Sequence, residues 1–161
     1  MGMSHLMTDD IDATARRIID SNRYMTLGTA DASGRPWVSP VWYAKDGYGA
    51  FLWVSRPGTR HSLNLGDRPE VSVVIFDSTV PIGTGTAVYM SGSAKELDGS
   101  ELERGIEVFS ERSLADGASA WSLGDVTGSA ELRLYRAEIS ECFLGESDRR
   151  QPVSDRFLTE P

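Results

Sequence analysis

The chain opens with a helical pattern of apolar positions. Ile11, Ala15, Ile18 and Ile19 recur at the spacing that places side chains on one face of a helix, and the residues between them are mostly polar or charged. Acidic residues precede this pattern, as is common at a helix N-terminus. Residues 8–22 are therefore predicted to form an amphipathic helix that covers or supports the rest of the fold.

The rest of the chain is dominated by short strand patterns. Runs rich in β-branched and aromatic residues predict six strands, over residues 24–30, 36–44, 50–55, 71–77, 87–97 and 131–143. Before the last strand, Leu102, Ile106 and Phe109 form an apolar stripe that predicts a helix at 100–112. No βαβ alternation is present, so the predicted fold is mainly β with flanking α: a six-stranded antiparallel sheet, paired in chain order and curled into a small barrel, with an N-terminal helix and one further helix.

The length and composition fit one domain. The 161 residues are 40% hydrophobic and 25% charged, and no linker or internal repeat divides them. We predict a disordered N-terminal segment at 1–7, the barrel domain at 8–146 and a C-terminal tail at 147–161. The chain has no long apolar run and no basic-then-apolar leader, so neither a membrane span nor a secretory signal is expected, and the cytoplasm is the expected compartment.

Charge and cysteine content narrow the classes of ligand. The net charge of −8 argues against binding to nucleic acid or to an anionic membrane, because too few cations remain to replace condensed counterions. An anionic ligand would need a local cationic pocket. Cys142 is the only cysteine and His5 and His61 are the only histidines, so neither a disulfide nor a metal site is expected.

The predicted strand at 36–44 is apolar or aromatic on both faces. An antiparallel strand with one solvated face should alternate, so something must cover its second face. The candidates are the N-terminal helix, a second subunit or a flat aromatic cofactor. Pro40 cannot donate to a sheet ladder and is expected on an edge or at a bulge, where neighbouring backbone groups are free for a ligand.

Residues 53–65 carry the strongest sign of ligand chemistry. The strand end at Ser55 runs into a turn and then a short polar helix, so hydroxyls and cations meet at a helix N-terminus that favours anions. Gly58 allows close approach of a ligand, Ser55 and Thr59 offer hydroxyls, and Arg60 offers a planar fork to phosphate oxygens. The alternative is an ordinary turn in which Thr59 caps the helix and Arg60 is solvated.

Several short motifs, taken in order, resemble one known family. They are TADASGRP at 29–36, SPVWY at 39–43 before Asp46-Gly47, SRPGTRHSLNL at 55–65 leading to RPEVSV at 68–73, GTAVY at 85–89 and RLYRAEI at 133–139. In this order they resemble the pyridoxamine 5′-phosphate oxidase-like, flavin-binding split β-barrels, over roughly residues 10 to 150. The resemblance implies a split barrel and a homodimer that binds two FMN molecules in clefts between its subunits.

The resemblance also implies roles for particular residues. By position, the flavin ring would be lined by Ser39, Pro40, Val41 and Trp42. The ribityl and phosphate path would be lined by Val54 and Ser55. The phosphate would be contacted by Thr59, Arg60 and His61, and Asn64 is the last cofactor-binding residue of this segment. Thr86 would reach the flavin of the partner subunit. His61 stands where many members have a lysine, and Trp42 stands where true pyridoxamine phosphate oxidases have one, so oxidation of vitamin B6 is not the expected activity.

The leading hypothesis is an FMN-dependent oxidoreductase that acts on a small organic substrate by hydride transfer at the flavin. One alternative is a deazaflavin-dependent reductase, although a chain with two lysines shows no lysine-rich groove for a long acidic cofactor tail. Another is a non-enzymatic flavin- or haem-binding dimer. A haem would usually need an axial ligand, and His61 is the only histidine within the predicted domain.

Overall fold

In the computed structural model, which describes residues 8–146 and 149–161, the chain forms one antiparallel sheet flanked by three helices. The helices are α1 (Thr8–Ser21), α2 (Arg60–Asp67) and α3 (Gly99–Ala115). The strands are β1 (Tyr24–Ala30), β2 (Pro36–Trp42), β3 (Ala44–Asp46), β4 (Ala50–Ser55), β5 (Glu70–Phe76), β6 (Thr86–Glu96), β7 (Arg133–Glu146) and β8 (Arg149–Pro152). The predicted disordered segment at 1–7 lies outside the described residues.

The predicted class, mainly β with flanking helices, is confirmed, but the strand count and order were wrong. The sheet has eight strands in the order β2-β1-β5-β6-β7-β4-β3, with β8 paired to β7. The predicted strand at 36–44 is divided at Tyr43, whose buried hydroxyl donates to the carbonyl of Ile19. β2 and β3 follow each other in the chain but lie at opposite ends of the strand order. The short connection between them therefore closes the sheet into a split barrel, although the strands are not paired in chain order.

The long strand β7 curls the sheet. It pairs with β4 through residues 133–138 and with β6 over most of its length. The register between β6 and β7 shifts between Ser91 and Gly92, where Ser140 is the extra residue of a bulge. A Cβ at Gly92 would overlap the carbonyl of Glu138, so glycine permits this close approach.

In the described part of the chain, apolar side chains form two buried clusters, one on each face of the barrel wall. The larger fills the barrel interior and includes Met25, Leu27 and Trp53, with Ile18 and Ile19 of α1 packed onto it. The smaller lies outside the wall, where α3 places Ile106 and Phe109 against β3, β4 and β7. Thus α3, rather than the N-terminal helix, covers the outer face of β2 at Trp42, while Val38 remains exposed.

The segment predicted as a C-terminal tail packs on the barrel from residue 149 onward. After β8, a 3-10 turn at Phe157–Thr159 places the fully buried Phe157 ring 5.2 Å from the Tyr48 ring. The N–H and hydroxyl of Ser154 both donate to the buried carboxylate of Asp12. Within the part of the chain that is described, no helix combines the length and apolarity needed to cross a membrane.

Candidate functional site

The short helix α2 is fastened to the barrel by its buried face. It follows β4 after a four-residue turn and lies against β1, β2 and β6. The amide of Asn64 donates to the hydroxyl of Thr29 at 3.0 Å, and both side chains are buried. Because a buried amide without a partner would be costly, this bond fixes where the N-terminus of α2 points.

A buried network of hydroxyls and one imidazole lies beneath that N-terminus. His61 Nε2 lies 2.8 Å from Ser55 Oγ, and His61 Nδ1 lies 3.3 Å from Ser39 Oγ. Ser55 Oγ is in turn 3.0 Å from Thr59 Oγ1. Burial lowers the pKa of His61 below its usual 6.5, so the ring is neutral at physiological pH. The imidazole orients hydroxyls here and carries no charge.

Above the network, Thr59 and Arg60 face outward. Thr59 occupies the N-cap position with extended backbone, yet its hydroxyl makes no capping bond to the helix and lies 2.8 Å from Ser62 Oγ. The exposed guanidinium of Arg60 stacks 4.6 Å from the centre of the Trp37 ring. Among the described residues no carboxylate pairs with Arg60, whereas the nearby Arg56 is paired with Glu131 at 2.9 Å. This end of α2 therefore presents a cation, a hydroxyl and free backbone N–H groups.

Strand β2 has a free edge next to this region. Tyr43 N–H donates to the carbonyl of Arg23 across the hairpin at 3.1 Å. Since ladder bonds alternate along an antiparallel pair, Val38, Pro40 and Trp42 direct their backbone groups away from β1, the partner of β2 in the described sheet. Proline at this position removes no ladder bond, and the other two residues present N–H groups on the edge.

The structure brings most of the predicted site residues together around the N-terminus of α2. These are Ser39, Ser55, Thr59, Arg60, His61 and Asn64. Two residues that complete the group were not predicted as ligand contacts: Trp37, which stacks under Arg60 and donates to Ser39, and Ser62, which lies beside Thr59. Ser62 follows Thr59 by three residues, a helical spacing that could have identified it.

The other predicted site residues lie on different faces of the barrel wall. The side chain of Val41 is buried in the barrel interior, so only its backbone could contact a ligand outside. Trp42 and Val54 pack on the outer face against α3, and Pro40 lies on the free edge of β2. Thr86 begins β6, which β1 and β5 separate from β2. Within one chain Thr86 therefore lies at the opposite end of β6 from Ala94, whose N–H donates to the carbonyl of Pro69 just after α2.

A pocket of about 590 Å³ opens on the outer face, between the barrel wall and α3. Trp42 and Val54 form its floor, and Phe109 and Trp121 form its side. The Phe109 ring lies edge-on to both indoles, at 4.9 Å from Trp42 and 5.3 Å from Trp121 between ring centres. The residue pair predicted to lie along the flavin, Trp42 and Val54, therefore borders a cavity of ligand size.

A family model described as pyridoxamine 5′-phosphate oxidase matches residues 11–143, which is most of the chain. The chain belongs to the pyridoxamine 5′-phosphate oxidase family. No curated protein matches it. The resemblance of the short motifs is thereby confirmed as membership of this family, and the matched range runs from within α1 to most of β7.

Solved structures share the fold of this family member at low identity. The heme storage protein HutZ from Vibrio cholerae is 20% identical with a TM-score of 0.64, over 84% of this chain and 94% of its own. A heme binding protein from Mycobacterium smegmatis is 20% identical with a TM-score of 0.70, over 91% of this chain, which spans 59% of the mycobacterial one. An F420 reductase is 13% identical with a TM-score of 0.58, over 79% and 94% of the two chains. At these identities the likeness shows the fold.

The buried imidazole predicts a pH dependence of stability. Because burial lowers the pKa of His61 in the folded state, the unfolded chain binds a proton more readily. Stability contributed by the neutral ring is complete above pH 6.5 and is lost as the pH falls through the lowered pKa. We expect the free energy of unfolding to fall less between about pH 7.5 and 5.5 in His61→Gln than in the unmodified protein, measured by urea denaturation. Parallel pH profiles would contradict this role.

Proposed function

We propose that the protein is an FMN-dependent oxidoreductase that acts on a small organic substrate. The observation that carries the proposal is the set of donors at the N-terminus of α2. Arg60 there is exposed and has no carboxylate partner among the described residues, in a chain whose net charge is −8. A local unpaired cation above a helix N-terminus is the arrangement that a phosphate ester requires in an acidic protein.

The donors fit a phosphate group. Thr59 has a hydroxyl that donates to the carbonyl of Arg56 at 2.9 Å and would turn from it to donate to a phosphate. Arg60 supplies a guanidinium whose plane is held by stacking on Trp37. At Gly58 the space where a Cβ would sit is open, so a ligand can approach the backbone of the turn. Ser55 and His61 lie below and hold Thr59 in place rather than meeting the phosphate themselves. We therefore assign phosphate contact to Thr59 and Arg60, and a positioning role to the two buried residues.

The free edge of β2 fits the polar rim of the flavin ring. The N–H groups of Val38 and Trp42 can donate to ring oxygen or nitrogen atoms. Val54, which lines the outer pocket, would border the path from the ring to the phosphate. When bound, the flavin supplies hydride transfer. The protein's own residues would orient the ring against β2 and exclude water from one side of it, through the apolar side chains at Trp42 and Val54.

We further propose that the active form is a homodimer. The outer face of β1, β2 and β5 exposes large apolar side chains, with Tyr24 61%, Val38 65% and Phe76 48% accessible. Several large apolar side chains exposed on one face of a sheet are typical of an interface. A partner subunit packed there would also bring its Thr86 toward the flavin, as the family resemblance implies. Light scattering at micromolar concentration should give the mass of a dimer, and a monomer that still binds FMN would contradict the shared cleft.

Haem and deazaflavin fit the described residues less well. HutZ and the mycobacterial neighbour are heme proteins, but an axial ligand is usually needed. Within residues 8–146 and 149–161 the only histidine is His61, and both of its ring nitrogens lie within hydrogen-bond distance of serine hydroxyls. An F420 reductase shares the fold, but only two lysines are available in this chain to hold a long acidic tail.

The visible absorption spectrum of the purified protein tests this proposal. An oxidised flavin spectrum, retained on gel filtration after incubation with FMN, is the expected result. A Soret band after incubation with haemin and no retained flavin would favour haem handling. A deazaflavin spectrum in the protein as purified would show that its cofactor is a deazaflavin rather than FMN.

A further inference from the structure

Trp37 brings to the buried network a group that can only donate a hydrogen bond. Its indole N–H donates to Ser39 Oγ at 3.0 Å, and the same Oγ lies 3.3 Å from Nδ1 of His61. Within residues 8–146 and 149–161 the Ser39 hydroxyl has no other hydrogen-bond partner. Because the oxygen of Ser39 already accepts from Trp37, its proton is available for Nδ1 of His61.

The hydrogen bonds between Ser39 and Thr59 can run in either of two directions. A neutral imidazole has one N–H, so His61 donates at one ring nitrogen and accepts at the other. With the proton on Nε2, Ser39 donates to Nδ1, and His61 donates to Ser55 Oγ at 2.8 Å. Ser55 then donates to Thr59 Oγ1 at 3.0 Å. With the proton on Nδ1, all three bonds are reversed.

The indole N–H of Trp37 favours the first direction. In the reversed network, Ser39 Oγ would accept from both Trp37 and His61, and the proton of this half-buried hydroxyl would have no acceptor within the network. In the first direction every proton of the network has an acceptor. The last of these protons belongs to Thr59, whose hydroxyl donates to the carbonyl of Arg56 at 2.9 Å.

The direction decides what the Thr59 hydroxyl can offer a ligand. In the first direction Thr59 accepts from Ser55, so its own proton can turn from the Arg56 carbonyl to an anion. In the reversed direction Ser55 takes that proton, and Thr59 presents only lone pairs outward. Since the oxygens of a phosphate dianion only accept, the first direction is the one that suits a phosphate.

From this geometry we infer that Trp37 is a positioning residue that holds His61 as the Nε2–H tautomer and thereby keeps the Thr59 hydroxyl a donor toward an anion. The ring of Trp37 also lies 4.6 Å from the Arg60 guanidinium carbon, so one side chain orients both of the outward-facing groups. The consequence for phosphate binding rests on the proposed function. The tautomer itself depends on no ligand.

The test is the tautomer of His61 in the flavin-free, full-length protein, measured by long-range proton–nitrogen correlation NMR. At about pH 8 the ring is neutral, because burial lowers the pKa of His61 below 6.5. His5→Gln leaves His61 as the only histidine, so its signals are assigned without ambiguity. We expect a protonated Nε2 and a bare Nδ1. A protonated Nδ1 would overturn the inference.

Trp37→Phe removes the indole N–H and keeps a ring beneath Arg60. We expect the flavin-free variant to hold a mixture of the two tautomers and to bind FMN about twofold or more weakly, since only one tautomer suits the phosphate. Riboflavin should bind as before, and FMN but not riboflavin should restore the Nε2–H form. The control Trp121→Phe removes an indole N–H at the outer pocket and should leave the tautomer unchanged.

An unchanged tautomer in Trp37→Phe would show that Trp37 does not set the direction of the network. A mixture that bound FMN leaves unshifted would overturn the link to phosphate. The failures of the two proposals are distinguishable. A protein that holds the Nε2–H form and binds no FMN refutes the proposed function and leaves the role of Trp37 in the network. A protein that binds FMN and holds the Nδ1–H form refutes the role of Trp37 alone.

Discussion

Replacing Arg60 by alanine should weaken the binding of FMN by about tenfold or more and leave the binding of riboflavin nearly unchanged. The two ligands differ only in the phosphate group, and Arg60 is the cation that the structure presents at the N-terminus of α2 with no carboxylate partner among the described residues. Stacking on Trp37 holds the guanidinium plane, so the side chain loses little freedom when it binds. Flavin fluorescence titrations with both ligands measure the difference.

Two further variants sharpen this experiment. Arg104→Ala removes another exposed arginine, from α3, where it pairs with Asp46, and should leave both affinities unchanged. Arg60→Lys keeps the charge but loses the planar fork and the stacking, so we expect an intermediate loss for FMN. Equal losses for FMN and riboflavin in Arg60→Ala would show that residues 55–64 form a plain structural turn.

Replacing Phe109 by alanine should lower the free energy of unfolding by about 3–5 kcal/mol, because a fully buried ring is removed and a cavity remains. The ring is 1% exposed and makes edge-to-face contacts with Trp42 and Trp121, so it joins α3, β2 and the 116–132 segment. Urea denaturation monitored by circular dichroism measures the change.

The matched control lies on the same helix. Leu114 is 56% exposed, and Leu114→Ala should change stability by no more than about 0.5 kcal/mol. If Phe109→Ala cost no more than Leu114→Ala, α3 would not be held to the wall by its apolar face. The outer pocket would then lose its structural basis.

The parts of the fold that sequence could predict are those with a strong local signal. The apolar period of α1 and the hairpin of β1 and β2 lie where their patterns predict them. The break at Tyr43 could not be predicted, because the apolar run continues through it and the contacts of the Tyr43 hydroxyl, with the carbonyls of Ile19 and Asn22, are tertiary ones. Strand β8 has the sequence RRQP, which carries no alternation, and it exists through pairing with β7.

The candidate site likewise has a part that the sequence could predict and a part that it could not. The order of hydroxyl, glycine and arginine residues after β4 predicted an anion site, and the structure places Thr59 and Arg60 at the helix N-terminus as that order requires. Which side chains are buried could not be predicted from order alone. His61 was expected to meet phosphate, but its ring is turned inward to Ser55 and Ser39, a contact between three separate elements. Val41 faces the barrel interior for a related reason: the pairing of β2 with β1 sets its face.

The affinity of the unmodified protein for FMN relative to riboflavin is the most direct test of the claim that the N-terminus of α2 binds the phosphate of a flavin nucleotide. Titrations of the two ligands under the same conditions of salt and pH give this ratio. The account predicts that FMN binds at least about tenfold more tightly, with one molecule per chain. Equal affinity for the two flavins, or binding of neither, would contradict it.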